Sequence, residues 1–407
     1  MKTSFNKSNT LEVLTASWYG DKKEKIYFPK DWDITVCAPK GAEPLTTSEL
    51  RDAINSPIGI NELSEIAKGK KRVTILIDDL SRPTPTYRLM PIIIEELKKA
   101  GISSKNILII AAIGAHRILL PWDFEKKIGK VIVQTLETVN HTPYEECEYL
   151  GESPEGTPIY INKFVVEADL RIGVGAIIPY SPGGTGFGGG AKIVVPGVSG
   201  IDTIVHHHSV PGGESGSLEG NRMRKNIEDI AVKLGLDAII NVVINGNKDI
   251  TGLFMGDVVK AYRKGVEFAQ DAYKTNKPKR MDIAFINAYP QDTYLMNATP
   301  FYLGRRVTSE EGIIILYANC PEGEGYHALG GWGGKFYNSR VKPRLNSVDR
   351  KILVCSPHLT RYEIDRRIGS NAQLFSSWEE LMRSLNKYNV SQKVAIFPYG
   401  RLSLLDN

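Results

Sequence analysis

The chain has 407 residues, of which 42% are hydrophobic and 24% charged, and its formal charge is +5. This length allows two domains with separate cores, and the composition is that of a globular protein. The small positive charge, without a basic tract rich in aromatics, argues against nucleic acid as a partner, and no apolar run is long enough to span a membrane.

The chain start and the cysteines indicate a compartment. The first twenty residues contain no uninterrupted apolar segment and do not resemble a signal peptide. Cys37, Cys147, Cys320 and Cys355 are far apart and form no CxxC pair. Such spacing fits the reducing cytosol and does not predict a zinc site. We therefore expect a cytoplasmic protein.

The first part of the chain predicts a parallel sheet. Short strands, such as Lys25–Phe28 and Asp33–Ala38, are expected in the opening sixty residues. Arg72–Asp78 is an apolar run typical of a buried strand, a helix follows over Leu89–Ala100, and Asn106–Ala112 is the next strand. Strand, helix and strand in this order form a βαβ unit, whose ligands bind beyond the carboxyl ends of the strands.

This arrangement would bring Asp78, Asp79 and Arg82 to the same edge of the sheet as His116 and Arg117. The carboxylates and Arg82 form either an ion-paired scaffold or a site in which Arg82 binds a carboxylate and an aspartate binds a hydroxyl. His116 is a candidate general base, because the ordinary pKa of histidine is close to neutral pH.

A glycine-rich stretch from Pro179 to His208 follows the next predicted strand, Asp169–Ile178. Six glycines lie between positions 183 and 190, and Lys192 comes next. Glycines in such numbers usually let main-chain amides approach a ligand, typically a phosphate. Lys192 is either a counter-charge for that phosphate or a nucleophile whose amine loses its proton readily.

The glycine spacing admits more than one nucleotide motif. Gly186, Gly188 and Ala191 satisfy the dinucleotide fingerprint, but Pro196 would break the helix that this motif requires. A P-loop is excluded because Ile193 follows the lysine. A nicotinamide site, a structural loop and a phosphate cradle of another kind stay open, and the last is favoured.

Three consecutive histidines, His206 to His208, end this stretch. Neighbouring side chains point in different directions in a helix and in a strand, so the three cannot bind one ion together. Either one of them is a metal ligand or the run is an exposed polar segment.

The next segment predicts a helix over Asn226–Leu234, a strand over Ala238–Ile244 and a return strand over Asp249–Phe254. Asn245 and Gly246 form the strongest short hairpin signal. A further helix is expected over residues 257–273.

The polar segment Lys274–Arg280 is the best domain boundary. We expect two α/β domains with mainly parallel sheets: a cofactor-binding domain over residues 1–278 and a C-terminal domain over 279–407 that closes over an active site between them. The predicted strands of the second domain are Asp282–Asn287, Gly312–Tyr317, Lys351–Cys355 and Val394–Phe397. A final helix from Trp378 is expected to begin with a capping box of Ser376 and Glu379.

Several separated motifs resemble those of the nickel-pincer lactate racemases and their homologues. Their order and number make the resemblance specific, and they span most of the chain. They are DDLSRPTP at Asp78–Pro85, GAHR at Gly114–Arg117, GGAKIVVPG at Gly189–Gly197, NVVIN at Asn241–Asn245, AYPQD at Ala288–Asp292 and CPEGEG at Cys320–Gly325.

The resemblance implies a nickel-pincer nucleotide, which is pyridinium-3,5-bisthiocarboxylic acid mononucleotide with nickel, attached to Lys192 through a thioamide. It also implies that His208, sixteen residues after the lysine, is the fourth nickel ligand. Sulfur donors with an imidazole in a planar site suit nickel. The other cofactor-binding residues would be Asp79, Gly188, Gly189 and Gly190.

The resemblance further implies that Arg82 helps to bind the substrate and that His116 takes its hydroxyl proton while hydride moves to the cofactor and back. Tyr180 stands where the family has a second catalytic histidine, and the loop to Lys192 is two residues longer. A tyrosine, with an ordinary pKa of about 10, is a weak base at neutral pH. Tyr180 is then either an altered catalytic residue, or Ser181 or His207 replaces it.

The family also has a Tyr-Gln pair followed by a lysine that binds the substrate carboxylate. This chain has Met296, Asn297 and Pro300 at those positions, which makes Asn297 a candidate substrate-binding residue. The changes argue against lactate and favour a longer hydroxy acid or a sugar acid, for which Gly330–Gly334 could provide room.

The sequence therefore predicts a racemase or epimerase of a 2-hydroxy acid, with a small-molecule substrate and cofactor-synthesising enzymes as partners. One alternative is a homologue that binds the cofactor or a hydroxy acid without racemising it. A further alternative is a nicotinamide-dependent dehydrogenase. The sequence leaves the oligomeric state open.

Overall fold

In a computed structural model of the chain, residues 9–295, 299–329, 350–385 and 391–406 are described. The chain forms two compact units. The first is built from Ala42–Gln270 and a short segment that begins at His327. The second contains the chain up to Gly41, the segment Asp271–Tyr326 and the C-terminal part. Among the described residues, no helix has both the length and the apolar character needed to cross a membrane.

Strands and helices alternate along most of the chain. The strands are β1 Thr10–Thr15, β2 Lys22–Tyr27, β3 Asp33–Val36, β4 Val73–Ile77, β5 Ile107–Ala111, β6 Glu137–Asn140, β7 Cys147–Glu152, β8 Pro158–Asn162, β9 Leu170–Ala176, β10 Ala238–Ile244, β11 Ile250–Gly256, β12 Lys274–Thr275, β13 Met281–Asn287, β14 Thr308–Tyr317, β15 Lys351–Cys355, β16 Gln373–Phe375, β17 Lys393–Phe397 and β18 Leu404–Leu405. The α-helices are α1 Thr47–Ile54, α2 Leu63–Ile66, α3 Thr86–Lys99, α4 Pro121–Ile128, α5 Lys130–Thr135, α6 Lys163–Val166, α7 Ile201–His207, α8 Arg222–Leu234, α9 Lys260–Ala272, α10 Thr299–Val307, α11 Arg361–Arg367 and α12 Trp378–Leu385.

The first unit contains a six-stranded sheet in the order β11-β10-β9-β4-β5-β6. All neighbours are parallel except β10 and β11, which form the predicted hairpin. Every residue of β4 is buried, as expected for a strand covered on both faces. Because Ile77 pairs with Ala111 and with Val174, the carboxyl ends of β4, β5 and β9 lie at one edge.

The second unit contains a fully parallel sheet in the order β16-β15-β14-β13-β17-β3. One hydrophobic cluster includes Ala284, Ile286 and Leu316, and another includes Phe285 and Ile315. Alternate residues of β13 thus belong to different clusters, as the period of a strand requires. The prediction of α/β architecture with mainly parallel sheets is confirmed.

The opening of the chain belongs to the second unit, which differs from the predicted division at residues 278 and 279. Strand β3 pairs in parallel with β17 over Asp33–Val36, so it extends the C-terminal sheet. Burial of its apolar side chains on that sheet outweighs its proximity in sequence to the first unit. Closure of the C-terminal domain over the site stays a prediction.

The predicted cap of the last helix is wrong by one residue. The helix begins at Trp378, and the hydroxyl of Ser377 accepts the hydrogen bond of the Glu380 amide at 3.2 Å. The Glu380 carboxylate in turn accepts from the amide and hydroxyl of Ser376, each at 2.9 Å. Two serines and two glutamates in sequence satisfy the same pattern in adjacent registers, so the sequence did not distinguish them.

Candidate active site

Loops that follow β4, β5 and β9 line one pocket at the carboxyl edge of the first sheet. This is the position that a parallel sheet provides for ligands, and it confirms the predicted common edge. The lining includes Asp78, Asp79, Ser81, Arg82, Ala112, Ile113, Gly114, His116, Tyr180, Gly189, Gly190, Lys192, Pro196, Gly197 and Asn241. Arg117 is directed elsewhere and pairs with Asp123 at 2.7 Å.

His116 and Asp79 form a hydrogen-bonded dyad. The Nδ1 atom of His116 lies 2.6 Å from Oδ2 of Asp79. Burial opposes ionisation of Asp79, but His116, Arg82 and the Ser81 hydroxyl outweigh it and lower the pKa of this carboxyl. An ionised carboxylate only accepts, so Nδ1 carries a proton, and in the neutral form of the ring the lone pair is on Nε2. The dyad thus orients His116 as a proton acceptor at Nε2.

Ser81 connects this dyad to Arg82. The amide of Ser81 donates to Oδ1 of Asp79 at 2.8 Å, and its hydroxyl also donates to that oxygen. Arg82 donates from Nη1 to the Ser81 hydroxyl at 2.8 Å. The segment is therefore a hydrogen-bonded and ion-paired scaffold, and Arg82 also lines the pocket. Binding of a substrate carboxylate by Arg82 and of a hydroxyl by an aspartate stays a prediction.

A buried ion pair supports the same segment from behind. Lys127 of α4 is fully buried, and its Nζ lies 2.5 Å from Oδ1 of Asp78. The same ammonium donates to the main-chain carbonyls of Asp79 at 3.1 Å and Arg82 at 3.0 Å. Thr84 donates to the other Asp78 oxygen at 2.5 Å. Asp78 therefore has a structural partner, whereas Asp79 faces the histidine.

The glycine loop does not present all its amides to a ligand. The Gly188 amide donates to the carbonyl of Ile178 at 2.8 Å, and the Gly190 amide donates to Oδ1 of Asn241 at 2.6 Å. A phosphate cradle built from these two amides is therefore not supported. Gly190 has φ +59°, and a Cβ there would lie 2.6 Å from the ring of Tyr262. At this position glycine is needed for backbone conformation and close packing.

The dinucleotide fingerprint is wrong for this loop. Gly190–Ile193 forms one turn of 3₁₀-helix, and no α-helix starts at the glycines. The pyrophosphate site of a nicotinamide enzyme needs an α-helix N-terminus at this point. The expected break before Pro196 is thus confirmed, and the dehydrogenase alternative loses its main support.

Lys192 lies half-buried in the pocket beside Tyr180. Burial, together with the positive charges of Arg224 and Arg82, lowers the pKa of Lys192 to about 7. Its Nζ lies 5.4 Å from the centre of the Tyr180 ring, and Cζ of Arg82 lies 5.9 Å from the same ring. Both cations are within the range of cation–π attraction. Tyr180 therefore contacts the pocket cations through its ring.

The three histidines have three different environments, as expected for consecutive residues of a helix. His206 bonds to the Thr157 hydroxyl at 3.0 Å. His208 donates from Nδ1 to the Ile204 carbonyl at 2.7 Å, which leaves the lone pair on Nε2, the nitrogen that could coordinate a metal. His207 is fully buried, and within the described chain neither of its ring nitrogens has a hydrogen-bond partner.

Some predicted residues are not part of the described pocket. Gly188 and His208 are absent from its lining, although other residues of the glycine-rich stretch from Pro179 to His208 line it. Met296, Asn297 and Gly330–Gly334 lie outside the described residues, so their roles stay predictions.

Three polar residues that hold the site together were not predicted from the sequence. Asn241 is a single amide in the otherwise apolar strand β10, and that contrast was a usable signal. Lys127 and Arg224 gave no signal, because lysine and arginine in an amphipathic helix usually lie on the surface. Both are fully buried here.

The fold and the pocket define an α/β protein with an enzyme-type site, where a histidine–carboxylate dyad, an arginine and a lysine of lowered pKa converge. Residues 19–218 match the lactate racemase N-terminal domain. The chain is 32% identical over 327 residues to the lactate racemase of Thermoanaerobacterium thermosaccharolyticum, covering 77% of this chain and 76% of that one. It is also 32% identical over 291 residues to that of Lactiplantibacillus plantarum, covering 68% of each. The chain belongs to the lactate racemase family.

Solved structures share the fold. The lactate racemase apoprotein from T. thermosaccharolyticum matches 98% of this chain and all of its own, with a TM-score of 0.77 and 24% identity. A protein from Thermotoga maritima matches 90% of this chain and all of its own, with a TM-score of 0.67 and 17% identity. Family membership supports a racemase-type isomerase.

The residues present fit the cofactor that the family implies. Lys192 has an amine with lowered proton affinity, as covalent attachment requires. His207 and His208 bring imidazole nitrogens to the segment after the lysine, and those of His207 are buried without a partner in the described residues. The described part of the chain contains no cluster of three or more His, Cys, Asp or Glu side chains able to hold a metal. A metal held mainly by the cofactor's own donors needs no such cluster.

Proposed function

We propose that this protein is a racemase or epimerase of a 2-hydroxy acid longer than lactate, and that it uses a nickel-pincer nucleotide attached to Lys192. The observation that carries the proposal is the convergence of the His116–Asp79 dyad, Arg82 and Lys192 in one pocket. In a member of the lactate racemase family, this set provides a proton acceptor, a carboxylate-binding cation and a covalent attachment point.

Each side chain would perform a separate task. Arg82 would bind the substrate carboxylate, for which a guanidinium is suited. His116 would accept the hydroxyl proton at Nε2, while Asp79 holds the ring and stabilises its protonated form. Lys192 would attach the cofactor and His208 would bind its nickel. When bound, the cofactor would supply a reversible hydride acceptor for the substrate carbon.

Tyr180 supports a substrate other than lactate. By the sequence resemblance it stands where the family has its second histidine, and its ring lies within cation–π range of Arg82 and Lys192. A phenol would donate a hydrogen bond to a substrate oxygen more readily than it would accept a proton at neutral pH. A substrate with further hydroxyl groups, such as a sugar acid, offers acceptors for this donor.

Tyr180 also favours a second candidate function, a homologue that carries the cofactor and binds a hydroxy acid without inverting it. Loss of one of two proton-transfer groups would stop inversion while it leaves binding intact. The two candidates share the attachment at Lys192 and differ in turnover.

Co-expression with cofactor-synthesising enzymes, followed by intact-mass and nickel analysis, tests the proposal. We expect a mass adduct that maps to Lys192, equimolar nickel, and loss of both in Lys192→Ala. The loaded protein is then incubated with a panel of 2-hydroxy acids, and inversion is followed by chiral chromatography. No adduct and no nickel would refute both candidates, whereas an adduct without inversion of any panel member would favour the second.

A further inference from the structure

Arg224 is a fully buried arginine whose guanidinium binds the glycine loop. It lies on α8, and its Nε and Nη1 donate to the carbonyls of Thr185 at 3.4 Å and Gly189 at 3.2 Å. Its Nη2 donates to the carbonyl of Phe187. One side chain thus holds three alternate peptide groups of the loop that leads to Lys192.

Tyr262 of α9 supports both the arginine and the loop. The guanidinium carbon lies 4.3 Å from the centre of the Tyr262 ring, within cation–π distance. A Cβ at Gly190 would lie 2.6 Å from that ring. Arg224 and Tyr262 therefore form one surface under Gly189 and Gly190, the residues that set the backbone direction just before Lys192.

The guanidinium of Arg224 binds main-chain carbonyls, and the Glu228 carboxylate interacts with it electrostatically while pairing with Arg263 at 2.6 Å. Burial of a cation is costly unless hydrogen bonds replace those to water. The three carbonyls provide these hydrogen bonds, so the guanidinium and the glycine loop depend on each other.

Several charged or titratable groups surround Lys192. Arg224 approaches from α8, Arg82 from the loop after β4, His207 from α7 and Tyr180 from the start of the glycine stretch. Asp78 and Asp79 line the same pocket, but they are engaged by Lys127 and His116. After burial, Arg224 is the largest cause that lowers the pKa of Lys192.

We propose that Arg224 is a positioning residue for Lys192: it fixes the glycine loop through three carbonyls and keeps a positive charge near the lysine amine. The inference deepens the proposed function, because a fixed amine with low proton affinity is what covalent attachment of the cofactor needs. It is nevertheless a property of the chain without cofactor, so it can be tested separately.

The test uses the full-length protein without cofactor and the amine reagent trinitrobenzenesulfonate. The labelling rate of Lys192 at pH 7.5 is measured by peptide mass spectrometry and divided by that of Lys264, an exposed lysine in the same chain. In Arg224→Met, we expect this ratio to fall about threefold, since a rise of one unit from a pKa of about 7 would lower the neutral fraction of the amine at pH 7.5 from about three-quarters to about one-quarter. Hydrogen exchange of residues 183–192 should accelerate in the same variant.

Two further variants separate charge from geometry. Arg224→Lys keeps the charge but cannot bind three carbonyls, so Lys192 should keep most of its labelling rate while the loop exchanges faster. Arg263→Gln is the matched control, because it removes the ion pair with Glu228 and has no bond to the loop. Both loop exchange and labelling should then stay as in the native protein.

The proposal is overturned if a folded Arg224→Met or Arg224→Lys variant shows native loop exchange and native labelling of Lys192. Folding is checked by circular dichroism. If only Arg224→Lys folds, the hydrogen exchange of its glycine loop alone decides whether the proposal stands. Absence of nickel and adduct in the native protein would refute the proposed function without affecting these results.

Discussion

His116 and Asp79 act in the same proposed proton transfer, and substitution of either should lower turnover for a different physical reason. His116→Ala removes the proton acceptor, so turnover of the identified substrate should fall by about 10²–10⁴-fold. Asp79→Asn keeps the size of the side chain but offers an amide to Nδ1, which favours the wrong tautomer and should cost a similar factor. Chiral chromatography measures turnover. Intact mass should show the Lys192 adduct in His116→Ala, and in Asp79→Asn it tests whether Asp79 also holds the cofactor.

His116 has no predicted role in cofactor binding, so retention of the adduct in His116→Ala is the internal control of this experiment. Activity within about threefold of the native enzyme in His116→Ala would contradict the assigned role. An equal loss of adduct and activity would mean that the dyad serves cofactor binding.

Lys192 should titrate near neutral pH. Because its folded-state pKa is about 7 and an unfolded lysine titrates at about 10.4, the unfolded chain binds more protons between these values. Stability from this group therefore rises as pH increases through that window. Labelling of Lys192 by an amine reagent should have its midpoint near pH 7. A midpoint near about 10.4, the ordinary pKa of a lysine, would contradict the prediction.

At the scale of elements, the glycine loop depends on tight packing as well as on backbone conformation. Gly190 and Gly69 both have positive φ, +59° and +76°, but only Gly190 has a neighbour within contact distance of an added Cβ. Gly69→Ala should cost about 1–2 kcal/mol for the left-handed backbone alone. Gly190→Ala should cost about 1–3 kcal/mol more, because the Tyr262 ring must move.

Urea unfolding of the two variants measures this difference. The comparison removes the backbone penalty that they share, so the excess reports the contact with Tyr262. Equal free energies of unfolding would show that the ring moves without cost and that Gly190 is needed for its conformation alone.

The sequence predicted the elements around the site well, because they depend on local patterns. The apolar runs of β4, β5 and β9 and the βαβ order were sufficient to place Asp79, His116 and the glycine loop at one edge. The partners of these residues were not predictable. Whether Arg224 binds loop carbonyls or solvent depends on how α8 packs on the sheet, which no local pattern encodes. The roles implied for His208 and Asn297 came from the resemblance, and they stay predictions.

At the scale of the whole molecule, the chain start is fixed to a loop 277 residues away. The carboxylate of Asp292, which is fully buried, accepts from the Thr15 hydroxyl at 3.0 Å, the Ala16 amide at 2.7 Å and the Ser17 amide at 2.9 Å. Asp292 follows β13, and Thr15 ends β1. This carboxylate therefore connects the N-terminal hairpin to the sheet of the second unit.

Asp292→Ala should destabilise the second unit selectively. Each buried donor left without a partner costs about 1–3 kcal/mol, so loss of three acceptor contacts should lower the free energy of unfolding of that unit by about 3 kcal/mol or more. Thr15→Val removes one contact and should cost about 1 kcal/mol. Hydrogen exchange should accelerate in β1, β2 and β13 and stay unchanged in β4, β5 and β9, which belong to the other core. If exchange accelerated equally in both sheets, the two units would unfold together, and neither core would be stable independently of the other.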